Sequence, residues 1–261
     1  MLKCPSCQAE NVEGAATCFL CGHALKRPGL LRRGFGVFGR KRGEAQRNES
    51  YTTGVGATER EPPEVAAANR GEAINAEVRD AESFKDQGRD YLNQGQYERA
   101  VEACNQAIRL NPQYTDAYYN RGLAHIKLNQ HQRAIKDLDE AIRLDPQDAD
   151  AYINRALAAL TLGQHQRAIQ DYDEAIRLDP GNATAYNGRG ATYFNLGQFQ
   201  RSLEDFDEAI RLNREFAYAY SNRAMSYIHL GKYEEAERDI NRAVDMGADP
   251  KEAIEELKRR R

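Results

Sequence analysis

The sequence predicts an all-α protein whose larger part is a solenoid of five helix pairs closed by a C-terminal helix. Residues 81–250 match themselves at an offset of 34, which is typical of stacked helical repeats. Each repeat holds two apolar-periodic stretches too short to be stable as isolated helices, so they must pack on each other and on the next pair. Tryptophan is absent and 30% of the residues are charged, which also favours surface-rich helices over a thick globular core.

Charge is distributed unevenly along the chain, although the formal net charge is only -3. Residues 1–49 hold nine Lys or Arg against four acids, a net of +5, so residues 50–261 carry -8. No apolar run approaches the ~18 residues that cross a bilayer, and the chain does not open with the pattern of a signal peptide. We therefore expect a cytoplasmic protein with reduced thiols, whose paired cysteines are metal ligands before they are disulfides.

Four of the five cysteines stand in two pairs near the N-terminus, at Cys4, Cys7, Cys18 and Cys21. A gap of two residues lets both thiolates of a pair face one ion, and two such pairs complete a tetrahedral sulfur shell without an open position. The spacing therefore predicts a structural metal site rather than a catalytic one.

Residues 1–25, with their CPSC and CFLCG motifs, resemble the short zinc-ribbon family, which implies one structural zinc ion. Gln8 stands where that family often has glycine. Iron in the same sulfur shell is an alternative that the spacing leaves open, and a redox dithiol is a second. His23 is interpreted as a bystander, because four sulfurs already complete the shell.

Residues 26–80 lack sustained periodicity and predict a flexible linker, basic in its first half and acidic in its second. Residues 64–80 are rich in Ala and Glu and favour a helix that leads into the repeats. Residues 26–42 mix arginines with Leu and Phe, a combination that can bind the phosphate backbone of nucleic acid or an anionic membrane surface. A solvated tether that binds neither is the alternative interpretation.

Several columns of similar residues recur at intervals of 34. They are an aromatic column (Phe84, Tyr118, Tyr152, Tyr186, Tyr220), a small-residue column (Gly88, Gly122, Ala156, Gly190, Ala224) and two alanine-rich columns (Ala100, Ala134, Ala168, Ser202, Ala236; Ala107, Ala141, Ala175, Ala209, Ala243). The stretch DAYYNRGLAHIKLNQHQRAIKDLDEAIRLDP resembles the tetratricopeptide repeat, which implies a right-handed α-solenoid. The implied units are 81–114, 115–148, 149–182, 183–216 and 217–250, followed by a capping helix at 251–261.

The ends of the helices are also predicted by repeating residues. A left-handed residue is expected after the first helix of each unit, at Gly95, Asn129, Gly163, Gly197 and Gly231. Prolines are expected to end the second helices, at Pro112, Pro146 and Pro180, while Arg214 leaves the fourth boundary less defined. Asp249 is predicted to cap the last helix, with Pro250 at its first position.

The resemblance further implies that the first helix of each unit faces a concave groove that binds a partner protein or peptide. The groove-facing residues it implies are Lys85, Arg89, Tyr119, Asn120, Leu123, Ile153, Asn154, Leu157, Asn187, Phe194, Ser221, Asn222 and Met225. Asparagine occurs in four successive units, at positions expected to be exposed, and its amide can bond the backbone of an extended peptide. The row resembles the asparagine ladder of O-linked N-acetylglucosamine transferases, although a solvated consensus face is the alternative.

Chaperone-tail-binding members of the family hold a terminal carboxylate with a set of Lys, Asn and Arg residues. Lys85 and Asn120 match that set, but Arg89 replaces its first Asn, and Asp150 and Asn154 replace its last Lys and Arg. Because an acid stands where the carboxylate would be held, this function is not implied.

No catalytic constellation is evident, and we expect neither enzymatic activity nor a small-molecule substrate. The histidines follow the repeat, and Cys104 falls in an apolar column, which predicts a buried core thiol. The sequence thus favours a non-enzymatic adaptor that binds one partner through the repeats and another through the ribbon and linker. A nucleic-acid- or ribosome-associated factor is the first alternative, and peripheral membrane attachment through residues 26–42 is the second.

Overall fold

The computed structural model describes residues 2–3, 10–11 and 79–261. Strand β1 (Leu2–Lys3) pairs antiparallel with β2 (Glu10–Asn11), so that Leu2 lies opposite Asn11 and Lys3 opposite Glu10. The four cysteines of the predicted zinc ribbon and residues 26–78 of the predicted linker lie outside the described residues. Residues 79 and 80, at the end of the stretch expected to be helical, belong to a helix.

Residues 79–261 form eleven helices. Helix α1 occupies residues 79–93 of the described chain. It is followed by α2 (Tyr97–Leu110), α3 (Thr115–Lys127), α4 (His131–Leu144), α5 (Ala149–Thr161), α6 (His165–Leu178), α7 (Ala183–Asn195), α8 (Phe199–Leu212), α9 (Ala217–His229), α10 (Tyr233–Asp245) and α11 (Lys251–Arg260). None of the helices in this part of the chain has the length and apolarity needed to span a bilayer.

The helices stack as a solenoid, because each packs on its neighbours in sequence and first helices of adjacent units also touch. Small residues permit this stacking: every member of the two alanine-rich columns is completely buried. In the small-residue column, a Cβ added to Gly122 would lie 2.9 Å from Leu138 Cγ, and one added to Gly190 would lie 2.8 Å from Phe206. Glycine is therefore required where the two helices of these units cross most closely.

The predicted left-handed residues are confirmed. Asn129 has a φ of 60°, and the four glycines of the same column have φ values of 71–73°. The next residue then donates its N–H to a carbonyl five positions back, as Gln130 does to His125 at 2.8 Å. This Schellman arrangement ends each first helix and turns the chain into the second.

The second helices end through their C-cap side chains rather than through proline alone. The residue after the helix is Asn111, Asp145, Asp179 or Asn213, and its Oδ1 accepts from the N–H two positions later at 2.9–3.0 Å. This Asx turn offers the backbone an alternative to continued helix. Helix α8 therefore ends at the same position as its counterparts, although Arg214 replaces the proline.

The last helix begins at Lys251, but Asp249 does not cap it and Pro250 is not its first residue. Pro250 occupies the N-cap position without a side-chain hydrogen bond, and the Asp249 carboxylate instead contacts the Lys251 ammonium at 3.0 Å. Its apolar face closes the solenoid as expected, since Ala253, Ile254 and Leu257 pack on the cluster formed by α9 and α10.

Candidate functional site

A cavity of about 670 Å³ runs along the first helices of units one to four. Eight of the predicted groove residues line it: Arg89, Tyr119, Asn120, Leu123, Ile153, Asn154, Leu157 and Asn187. We call this space the groove cavity. Its walls combine aliphatic side chains with amides and phenols, so it offers apolar contacts and hydrogen-bonding groups together.

A second cavity of about 140 Å³ lies further along the same face and contains three more predicted residues, Phe194, Asn222 and Met225. Ala191, Asn195, Phe206 and Glu252 complete its lining, and we call it the end cavity. The structure therefore divides eleven of the thirteen predicted residues between two neighbouring regions of one face.

The other two predicted residues are engaged inside the protein. The Lys85 ammonium lies 3.3 Å from Asp86 and 3.9 Å from Asp116, and it also lies over the ring of Tyr114. It therefore links the first unit to the second. Ser221 is buried and donates its hydroxyl hydrogen to the carbonyl of Ala217 at 3.3 Å.

The groove asparagines are not the exposed side chains that the sequence suggested. Asn120, Asn187 and Asn222 are 9%, 5% and 8% exposed. The Asn222 amide donates to Asn187 Oδ1 at 3.0 Å, and the Asn154 amide donates to the Tyr119 hydroxyl at 3.2 Å. These bonds join the first helices of adjacent units, because close helix packing brings the side chains within hydrogen-bonding distance. The bonded amides are therefore less available to a ligand.

The asparagine column is interrupted in the fourth unit, where Gly188 holds the position of Asn154 and Asn187 stands one residue earlier. The buried Tyr172 ring fills the space above Gly188, since an added Cβ there would lie 2.4 Å from its Cζ. Both residues line the groove cavity. Sequence reasoning missed Tyr172, although the loss of asparagine opposite a bulky aromatic was a usable signal.

Tyr119 is an ionisable group of the groove cavity whose pKa is raised. Burial raises the pKa of its phenol above the ordinary value, and the charges of Asp150 and Asp148 add to the effect. The hydroxyl therefore stays neutral at physiological pH, when it accepts a hydrogen bond from Asn154. Its own hydrogen remains a donor, so the phenol can bond an acceptor such as a peptide carbonyl.

A repeating ion-pair network behind the groove was also missed. Four arginines, one in each of units two to five, donate two hydrogen bonds of 2.6–3.0 Å to an aspartate sixteen residues later. The pairs are Arg121–Asp137, Arg155–Asp171, Arg189–Asp205 and Arg223–Asp239. Each guanidinium also donates to a second-helix residue of the preceding unit, at Asn105, Asp139, Asp173 or Asp207.

This network fixes the angle between successive units, because every arginine touches both helices on which its own helix packs. Bidentate arginine–carboxylate contacts are geometrically specific, and the carboxylates are nearly buried, as in Asp171 at 6% exposure. Tyrosine rings lie 5.3–5.6 Å from the guanidinium carbons on the same helices. The groove is thus held by a preformed frame rather than shaped only by a ligand.

Solved structures similar to this one share its fold. A Pseudomonas aeruginosa pilF structure has a TM-score of 0.64 and 18% identity, and the match covers 71% of this chain and 84% of that one. YrrB, described as a TPR protein with an unusual peptide-binding site, has a TM-score of 0.59 and 21% identity, with 72% and 97% covered. MamA from Desulfovibrio magneticus RS-1 has a TM-score of 0.59 and 19% identity, with 64% and 95% covered.

No curated protein matches the sequence. Family models described as tetratricopeptide repeat match residues 85–149, 122–183, 183–216 and 217–246, and together they cover more than half of the chain. The matches begin within α1, at residue 85, and include helices α2 to α10 completely. The chain therefore belongs to the tetratricopeptide repeat family.

Proposed function

We propose that the chain is a non-enzymatic scaffold whose groove binds an extended segment of a partner protein. The observation that carries this proposal is the groove cavity of about 670 Å³, which is open to ligand and spans the first helices of four units. Tetratricopeptide folds typically form non-catalytic scaffolds that bind peptides or proteins. The peptide-binding site named for YrrB supports the same type of ligand here.

Binding would depend on apolar side chains more than on the asparagine row. Leu123, Ile153 and Leu157 form an aliphatic wall on which a partner side chain can bury its surface. The Tyr119 hydroxyl provides a hydrogen-bond donor beside that wall. Because the Asn154 and Asn222 amides are already donating within the protein, we assign them mainly a role in aligning the first helices.

Panning of the full chain against a random dodecapeptide library tests this function directly. Leu157→Glu places a charge in the aliphatic wall and is expected to lower the affinity of the enriched peptides by tenfold or more. Leu162→Glu is the matched control, since Leu162 follows the same helix but is exposed in the turn. No enrichment, or peptides that bind the Leu157 variant as tightly as wild type, would refute the proposed function, provided that circular dichroism shows both variants folded.

We also propose that Cys4, Cys7, Cys18 and Cys21 bind one structural zinc ion. Pairing of β1 with β2 supports this, because it brings Lys3 opposite Glu10 and so brackets the segment that contains the first cysteine pair. Thiolate ligands would give a closed shell that stabilises the N-terminal module. Elemental analysis of purified chain should find one zinc per molecule, and one iron instead would refute the assignment.

The N-terminal part is proposed to contact a second partner in the cytoplasm. The net charge of +5 in residues 1–49 favours an anionic one, either nucleic acid or a membrane surface that contacts residues 26–42. Capture that falls steeply as salt rises would support this contact. Capture that is insensitive to salt and to nuclease would assign all binding to the repeats.

A further inference from the structure

The closing helix α11 extends the groove rather than only covering the last unit. Glu252, Glu255, Glu256 and Arg259 lie 34 residues after Tyr218, Ser221, Asn222 and Met225. They therefore hold the positions that face the groove in a complete unit. Together with Met225, these four side chains line a cavity of about 430 Å³ that adjoins the end cavity through the shared Met225 and Glu252.

Glu252 is the carboxylate at the centre of this region. It is half-buried and lines the end cavity beside Phe194, Phe206 and Met225, so its neighbours are largely apolar. Burial and the negative charge of Glu255 raise the pKa of Glu252 to about 7. Loss of hydration without a compensating partner is the physical cause of this shift.

The cations near Glu252 are engaged by other groups. Arg259 and Arg260 both contact the buried Glu256, and Lys251 contacts Asp249 at 3.0 Å. Within residues 79–261, no ion pair or hydrogen bond joins the Glu252 carboxylate to another side chain. A charged carboxylate is costly in such a site unless a cation joins it, so the site favours a positively charged ligand group.

The lining of the end cavity favours a lysine or arginine side chain over a metal ion. In the described part of the chain, no group of three His, Cys, Asp or Glu side chains is arranged to hold a metal ion. A lysine or arginine side chain has an aliphatic stem that matches the Phe194, Phe206 and Met225 walls, and a charged end that matches the carboxylate. A purely apolar side chain would instead desolvate Glu252 further and leave it unpaired.

We propose that the end cavity binds a lysine or arginine side chain of the partner segment, with Glu252 as the residue that recognises its charge. This presupposes that the groove binds a partner segment, and it adds the chemistry of one residue in that segment. The partner is thus basic at the position that meets α11.

Methyl NMR of the full chain provides the test, because only three methionines are present and Met225 lies in the end cavity. The probes are N-acetyl-lysine N-methylamide and its norleucine analogue, which has a similar aliphatic stem without the ammonium. The lysine probe is expected to shift the Met225 methyl signal in a saturable manner and to leave Met246 unchanged. The Glu252→Gln variant should bind it at least fivefold more weakly.

Glu204→Gln is the matched control, since Glu204 is an exposed carboxylate on α8 and should not affect the probe. Equal shifts from both probes, or unchanged lysine binding by the Glu252 variant, would overturn the proposal. Binding of the lysine probe only after deletion of residues 26–42 would overturn the assignment to a partner, because the basic segment of the chain itself would then occupy the site.

Peptides from the library distinguish failure of this inference from failure of the proposed function. Enriched sequences that contain Lys or Arg and lose affinity in the Glu252→Gln variant support both. Enriched sequences without a basic residue, or with affinity independent of Glu252, overturn only the recognition of a cation. Absence of any enrichment refutes the groove function itself, whereas the amide probe still reports on the end cavity.

Discussion

The first repeat unit differs from the four that follow in how its helices are fixed. Units two to five each contain a partly buried arginine bound to two helices, whereas Gln87 and Ala103 occupy the corresponding positions of the first unit. The Gln87 amide reaches only Ser83 Oγ in its own helix, at 3.2 Å. The first unit thus has the same packing period as the others but lacks the arginine–aspartate pair between its two helices. A weaker contact, Arg99 of α2 over the Tyr91 ring of α1 at 5.9 Å, joins them instead.

This difference coincides with one end of the groove cavity. Arg89, Leu92, Asn93 and Tyr97 of the first unit form part of its lining, while the remaining walls belong to units with arginine–aspartate pairs. The cavity therefore has one wall without these ion pairs. We expect a ligand to shift the first unit more readily than the others.

Removal of one buried aspartate should have the largest effect on stability. Asp171→Ala leaves the Arg155 guanidinium, 15% exposed, without its bidentate partner, and is expected to cost ~3 kcal/mol of unfolding free energy. Urea denaturation measures this cost. Glu174→Ala on the same helix removes an exposed pair with Arg177 and should change stability by less than ~0.5 kcal/mol. Equal costs for the two variants would show that the network does not stabilise the units.

Gly→Ala substitutions at two equivalent glycines compare how firmly the helix angle is fixed in the first and fourth units. Gly190→Ala brings a Cβ to 2.8 Å from Phe206 in a unit held by its ion pair, and should cost ~2 kcal/mol. Gly88→Ala places a Cβ 2.6 Å from Cys104 Sγ, but the first unit can shift its helix, so we expect only ~1 kcal/mol. If thermal or urea unfolding showed a larger loss of stability for Gly88→Ala than for Gly190→Ala, the helix angle of the first unit would not be the less firmly fixed one.

Glu252 should make the stability of the opposite end of the solenoid depend on pH. Its raised pKa means that the neutral carboxyl stabilises the folded state below about pH 4.5, and that this contribution is lost as pH rises through about 7. Glu252→Gln should therefore raise stability at pH 8 by about 1 kcal/mol and have little effect at pH 4, since partial exposure screens the charge. Melting curves at both pH values give the comparison, and an equal effect at each would exclude titration of Glu252.

Transfer of the ion pair into the first unit should have the smallest effect. Gln87→Arg combined with Ala103→Asp recreates the pair of units two to five and is expected to change stability by less than ~1 kcal/mol, because desolvation offsets most of the attraction. Its main consequence should be slower amide exchange in α1. Unchanged exchange rates would show that the arginine does not restrain helix angles.

Much of this fold followed from residues that act locally. Left-handed turns at Asn129 and its glycine counterparts, and close crossings at Gly122 and Gly190, depend on backbone conformation and side-chain size, which the 34-residue columns display. The ion pairs were missed because Arg155 and Asp171 are sixteen residues apart, and their meeting depends on how two helices pack. Capping of α11 was mispredicted because the Asp249 carboxylate has Lys251 as a competing partner.

The candidate groove was predicted by position but not by burial. Eleven of the thirteen residues line the two cavities, because the register of each first helix sets the face on which a residue lies. Whether Asn120 or Asn222 is exposed depends instead on the spacing of neighbouring helices, which no single unit specifies. Tyr172 entered the groove from a second helix only because Gly188 leaves space for it.

Hydrogen–deuterium exchange of the full chain, with and without a peptide enriched from the library, tests the central claim most directly. Binding in the groove predicts the largest added protection in α1, α3, α5 and α7, smaller changes in the second helices, and no change at Leu162 and its neighbouring turn. Protection confined to the second helices or to those turns would contradict a ligand site in the groove.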